Sequence, residues 1–169
     1  KASSVEVDYL TPDLAFDENE STRWSSGYSD DEWIYVDLLQ QYPINRVVLK
    51  WEDAYATGYK IQVSNDAQNW QDVYTTNNGT GGTEIIYFPE ENARYVRMLG
   101  TKRAINWGFS LYEFEVYPSI NAADVKTLIE RYEDEGAFAN VGAARSLIVH
   151  MTAVHRYEEK NLTDKVVKH

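Results

Sequence analysis

Cysteine is absent from all 169 residues. Disulfide frameworks, thiol nucleophiles, thiolate zinc sites and iron–sulfur clusters are therefore excluded. Histidine does not occur before His150, and only His155 and His169 follow it. No Ser-His-Asp or Cys-His arrangement can form within the first 149 residues. His150 and His155 miss the i, i+4 spacing of a helical metal pair, so they read as surface or capping histidines. Basic residues are scarce too: 16 Lys and Arg face 27 Asp and Glu, for a net charge of −11 and a pI near 4.7. That balance argues against nucleic acid and anionic membranes, which both need a basic footprint. No apolar run approaches the roughly 18 residues that a bilayer span requires. The polar start Lys1-Ala-Ser-Ser4 shows no signal peptide and reads as the start of a processed or excised fragment.

What is present divides in two near Pro118. Of the 23 aromatic residues, 20 precede it, together with 9 basic and 19 acidic residues. The last 52 residues carry 7 basic and 8 acidic residues and every histidine. Two differently built units are expected, residues 1–117 and 118–169, since Pro118 ends whatever precedes it. In the first, Trp33–Leu38 alternates with Ile34, Val36 and Leu38 on one face, and Val47, Leu49 and Trp51 repeat the pattern. Further runs are Tyr59–Ser64, Trp70–Thr75, Glu84–Phe88, Tyr95–Leu99 and Leu111–Tyr117, separated by turn clusters such as 64–69 and 77–82. About seven or eight short strands at this spacing predict a mainly β fold, an antiparallel sandwich, with Trp24, Trp33, Trp51 and Trp70 in its core.

The second unit has helical periodicity. Asn121 caps a run with Val125, Leu128, Ile129 and Tyr132 on one face, stopped by Gly136. A second stripe takes Phe138, Val141, Ala144, Leu147, Ile148, Met151 and Val154, with Gly142 suggesting close packing. Thr163-Asp164 begins a third helix that the chain end cuts off, giving a small α-helical unit of the αα-hairpin or bundle kind.

Two loop regions carry chemistry. Asp17, Asn19 and Thr22 put three oxygen donors into one short loop, which suits a hard cation such as Ca²⁺ or an ordinary solvated acidic turn. Arg23, Tyr28, Glu52, Tyr55, Arg103 and Trp107 stand beside turns or strand ends rather than on core faces. That inventory suits a sugar, stacked on an aromatic face and held by forked hydrogen bonds. It equally suits core packing with surface ion pairs. Paired carboxylates are too numerous here to indicate a glycosidase.

Six blocks carry a resemblance: Thr22-Arg-Trp-Ser-Ser26, Glu32-Trp-Ile-Tyr-Val-Asp-Leu38, Trp51-Glu-Asp-Ala-Tyr55, Tyr59-Lys-Ile-Gln-Val-Ser-Asn-Asp66, Ala93-Arg-Tyr-Val-Arg-Met98 and Ser110-Leu-Tyr-Glu-Phe-Glu-Val-Tyr117. Residues 1–117 resemble the coagulation factor 5/8 type C (discoidin) domain, and within it the family-32 carbohydrate-binding modules of bacterial chitosanases and glucanases. The resemblance implies a jelly-roll, galactose-binding-like β-sandwich with a structural Ca²⁺. Its ligands would be the side chains of Asp17, Thr22 and Glu113 and the main-chain carbonyls of Leu14, Asn19, Thr22 and Tyr112. Glu18 departs from the family, which usually has Gly there; if that position needs positive φ, the turn is strained. The implied sugar site is Arg23, Tyr28, Glu52 and Trp107, with Tyr55 and Arg103 nearby. The segment around Phe138-Ala-Asn-Val-Gly-Ala-Ala-Arg145 resembles small helical repeats found beside such modules.

The expected function follows from that likeness. It is a non-catalytic carbohydrate-binding module, monomeric and secreted, that holds a catalytic domain of the same parent chain on β-linked glucan or glucosamine (chitosan-like) polymers. The acidic surface suits a cationic polysaccharide. The alternative is a protein- or cell-surface-binding adhesion module, for which the helical tail is the candidate surface.

Overall fold

The computed structural model describes residues 1–160 and 162. The chain folds into two compact units, the first Lys1–Ser119 and the second beginning at Ile120. The first holds a short 3₁₀ turn, Pro12–Ala15, and six strands: β1 (Trp24–Ser25), β2 (Trp33–Trp51), β3 (Ala56–Ser64), β4 (Gln71–Thr76), β5 (Thr83–Arg103) and β6 (Ser110–Pro118). All pair antiparallel, in the order β1-β6-β2-β5-β3-β4.

The strand count corrects the expectation of short strands only. Trp33–Leu38 and Val47–Trp51 are two halves of β2, and Glu84–Phe88 and Tyr95–Leu99 are two halves of β5. Register shifts between Asp37 and Tyr42 and between Ile44 and Arg46 bend the β2–β5 pair in its middle. Leu39, at φ 70°, turns the strand there. The Asp37 carboxylate accepts the Leu39 N–H at 2.8 Å and a two-pronged Arg94 pair at 2.8 Å each, so one side chain ties both bends together. Past the bend the strands change partners. The Trp33 half of β2 and the Arg103 half of β5 continue into β3 and β4, whereas the Trp51 half of β2 joins β6. One ladder folded over in this way makes both layers of a β-sandwich.

The inner faces close on each other. Ile34, Ile61, Val96 and Met98 come from one layer and Val47, Leu49, Leu111 and Phe114 from the other, each 2% exposed or less. Burying a side chain of this size contributes about 1.5–3 kcal/mol. Trp24 and Trp51 join this core as expected. Trp33 does not, because strand alternation gives the inner face to Ile34 and turns its neighbours outward, and Trp70, just before β4, is also only half-buried. On the outer face Trp33 stacks on Tyr35 with centroids 5.4 Å apart, and the Arg97 guanidinium lies 4.1 Å from the Trp70 ring centroid while its Nε–H donates to Gln62.

The second unit contains α1 (Ala122–Asp134) and α2 (Val141–Glu158). Asn121 and Asp124 form a reciprocal capping box, worth about 1 kcal/mol. Gly136, at φ 70°, ends α1 where the sequence predicts, and the Ala137 N–H returns to the Tyr132 carbonyl at 2.9 Å. Phe138 falls before α2 rather than on its stripe, because Asn140 caps the helix. Gly142 is not a helix-packing contact: a Cβ there would meet only the Asn140 capping oxygen, at 3.1 Å. Ala122, Ile129, Ala144 and Val154 are the buried apolar residues of these helices among the described residues. The expected third helix from Thr163 lies outside the described residues.

Candidate functional site

Loops at one end of the sandwich are bolted together before any ligand need be considered. After β2, the Glu52 N–H donates to the Ser110 carbonyl, and the Glu52 carboxylate caps its own turn by accepting the Ala54 N–H at 2.9 Å. Ser26 and Phe109 exchange hydrogen bonds, the Ser26 hydroxyl accepting the Phe109 N–H at 2.8 Å. Between them Gly108 passes so close that a Cβ would lie 2.4 Å from the Ser26 carbonyl oxygen, so no other residue fits.

These loops enclose a cleft of about 400 Å³ lined by Glu6, Arg23, Glu52, Asp53, Ile105 and Trp107 among others. Three carboxylates face one guanidinium. The Trp107 indole is 56% exposed and meets Tyr28, itself 54% exposed, edge to face at 5.3 Å. The Tyr28 hydroxyl donates to Glu6 Oε1 at 2.6 Å. That bond holds the Glu6 carboxyl below its ordinary range, helped by the Arg23 charge, and pushes the Tyr28 phenol up. The Arg23 Nε–H is buried with no hydrogen-bond partner among the described residues. A guanidinium and three carboxylates lining one cleft beside an exposed indole can hydrogen-bond a polyhydroxylated or amine-bearing ligand.

Of the six residues expected at a sugar site, the structure brings Arg23, Glu52 and Trp107 onto the cleft wall, with Tyr28 against Trp107. Tyr55 and Arg103 lie outside the lining. The Tyr55 ring packs over Gly81, where a Cβ would come within 2.7 Å of it. Arg103 spends its Nε–H on Asp30 and its Nη1 donors on loop carbonyls. Glu6, Asp53 and Ile105 were missed. Asp53 could have been found from its place beside Glu52 in the turn. Glu6 lies in the ordinary run Val5-Glu-Val7, with no local signal to mark it.

The second constellation is at the acidic loop. The Thr22 hydroxyl donates to Asp17 Oδ2 at 2.8 Å and is also 2.8 Å from the Asn19 carbonyl, while the Asn19 N–H donates to Asp17 Oδ1 at 3.0 Å. Phe16 packs on Phe114, centroids 5.7 Å apart, which pins the loop to β6. On that strand Glu113 follows Tyr112 and is 3% exposed, and its Oε1 has no hydrogen-bond partner among the described residues. Burial pushes the Glu113 carboxyl up, and the Asp17 charge adds to the push. Leu14 lies in the adjoining 3₁₀ turn. An orphaned buried carboxylate oxygen near a second carboxylate is chemistry that fits a hard cation. No group of three or more His, Asp or Glu side chains suited to a metal occurs among the described residues. Any cation here would therefore depend on carbonyl and hydroxyl oxygens for the rest of its shell. Glu18 does adopt positive φ, at 60°.

Comparison with known proteins agrees with this architecture. The chitosan-binding module 1 of a chitosanase/glucanase from Paenibacillus sp. IK-5 is 49% identical, with a TM-score of 0.67 over 69% of this chain and 92% of that one. Module 2 of the same enzyme, solved in complex with chitotriose, is 48% identical with a TM-score of 0.68 over 69% of this chain and 93% of that one. The polysaccharide lyase 8 family protein HylA of Enterococcus faecalis is 30% identical over 111 residues, 61% of this chain. The chain spans only 8% and 17% of the length of the curated relatives it matches. Residues 122–169 match the FIMAH domain. Residues 1–114 match the F5/8 type C domain, and with two thirds of its length so matched the chain belongs to that family.

Proposed function

We propose that the first unit is a non-catalytic carbohydrate-binding module of the family-32 kind, which takes β-linked glucosamine or glucan chains in the cleft beside Trp107. The observation that carries this is the cleft's inventory: an exposed indole, the Arg23 guanidinium, and the carboxylates of Glu6, Glu52 and Asp53. A pyranose stacks its C–H face on Trp107, Arg23 donates to a hydroxyl, and the carboxylates accept from hydroxyls or, more strongly, from a glucosamine ammonium. The excess of carboxylates favours the aminosugar, in keeping with the chitotriose bound by the Paenibacillus relative. A shallow site of this size binds weakly alone, and its role is to hold a secreted polysaccharide-degrading parent protein on its polymer through repeated contacts.

A structural Ca²⁺ belongs to the same proposal. It would be held by Asp17, Thr22 and Glu113, with the carbonyls of Leu14, Asn19, Thr22 and Tyr112, and would fasten the acidic loop to β6. What supports it is the orphaned Glu113 oxygen.

Titration of ¹⁵N-labelled protein with chitotriose, laminaritriose and galactose tests the sugar site. Shifts confined to the Arg23, Tyr28, Glu52 and Trp107 region, largest with chitotriose, are expected. No shift with any of them at millimolar concentration would overturn the reading. A second reading, a protein-contact module, draws on α2, where Val141, Leu147 and Val149 are 48%, 44% and 71% exposed.

A further inference from the structure

We infer that Arg103 is a positioning residue: it builds the aromatic corner of the cleft through main-chain carbonyls and does not touch the ligand. This rests on the reading of the cleft as a sugar site. Arg103 Nη1 lies 2.9 Å from the Tyr28 carbonyl, 3.1 Å from that of Asn106 and 3.4 Å from that of Trp107. Its Nε–H and its own backbone N–H both donate to Asp30 Oδ1, each at 3.1 Å. One guanidinium thus gathers carbonyls from the two loops that carry the stacking pair, and Asp30 fixes its orientation.

The physical reason is electrostatic. Three carbonyl oxygens converging on one point repel each other unless a cation sits among them. With the guanidinium removed, the 28–30 and 103–107 loops lose their common partner and Tyr28 loses its registration against Trp107. The other fastenings do not reach the same carbonyls. The backbone N–H of residue 103 holds only the Asp30 carboxylate, Glu6 holds only the Tyr28 hydroxyl, and the Ser26–Phe109 bonds lie on the far side of Gly108. The guanidinium side chain is 25% exposed, outside the cleft lining, with its Nε and Nη1 donors engaged by the loops. Binding surfaces held in this way gain affinity because less ordering remains to be done when the ligand arrives.

The test combines two readouts on the wild type, R103M, R103K and D30N. The first is chitotriose affinity by calorimetry or NMR titration. The second is the set of NOEs between Tyr28 and Trp107 ring protons in the ligand-free protein. R103M is expected to bind about tenfold more weakly and to lose the ring–ring NOEs. R103K, which keeps a cation among the carbonyls but drops the side-chain Nε–H bond to Asp30, retains both in reduced form, and D30N behaves like R103K. Weaker binding with the NOEs intact would mean direct contact with the sugar and would overturn the inference, as would unchanged affinity. If the wild type fails to bind chitotriose, the sugar reading falls while the NOEs still decide: lost in R103M, the positioning role stands; retained, it fails. If R103M does not fold, R103K and D30N carry the same comparison.

Discussion

The Tyr28 and Trp107 rings stand edge to face, their planes at 87° and their centroids 5.3 Å apart, although 79 positions separate them in sequence. Both remain more than half exposed. The pair therefore adds little to the core and presents aromatic surface outward. Trp107→Ala should cut glycan affinity about ten- to thirtyfold, corresponding to roughly 1.4–2 kcal/mol. The same substitution should leave the melting temperature nearly unchanged. Parallel titration and calorimetry check both parts; a large loss of stability would mean that the indole is structural.

Glu52 gives a charge prediction. Glu52→Gln keeps an oxygen for the Ala54 N–H but removes the negative charge. Chitotriose should then bind about tenfold more weakly, while laminaritriose binding changes little. Wild-type affinity for chitotriose should also fall as pH rises through the titration of the sugar amine and as salt is added. Equal sensitivity of the neutral glucan would show that the carboxylate acts only as a hydrogen-bond acceptor.

The acidic loop predicts two effects on stability. Glu18→Gly should stabilise the fold by about 1 kcal/mol, because positive φ costs a non-glycine residue that much, and the denaturant midpoint reports it. Chelation of Ca²⁺ should lower the melting temperature by several degrees in the wild type: saturation at a hundredfold excess over the dissociation constant contributes about 2.7 kcal/mol. In Glu113→Gln that response should shrink. An identical chelator response in both proteins would remove Glu113 from the ligand set.

At the bend, the Arg94 pair, with the Leu39 N–H contributing, lowers the Asp37 carboxyl from its ordinary 3.8 to about 2. A depressed carboxylate stabilises the fold above its unfolded value, and that stability is lost as pH falls from near 3.8 through about 2. Asp37→Asn should therefore lower stability at neutral pH and flatten the acid limb of the stability profile in that window. Urea midpoints measured across acidic pH check the shape.

Much of the sandwich was legible because alternation reports which face of a strand is buried. Ile34, Val47, Leu49 and Trp51 all went inward as their spacing required. What alternation does not report is continuity. The bend near Leu39 interrupts the pattern, so β2 and β5 read as four strands rather than two. The same rule, applied strictly, would have sent Trp33 outward rather than into the core, and the Arg97 cation that gives Trp70 its partner comes from β5, 27 positions away. At the cleft, Arg23, Glu52 and Trp107 were legible as chemistry-bearing residues at turns. Glu6 was not, since only tertiary pairing with Tyr28 gives it a role. Arg103 was noticed for its charge, yet its function depends on a carbonyl 75 positions away.

The passage of β2 and β5 through both layers has a consequence for how the unit comes apart. Neither layer is a closed set of strands that can open while its neighbour stays formed, since each contains half of the same two segments. Unfolding is accordingly a single cooperative event, and the central amides of Val47, Leu49, Val96 and Met98 exchange with solvent only when the entire unit opens. The loops at the end of the sandwich inherit that rigidity from the strands they join.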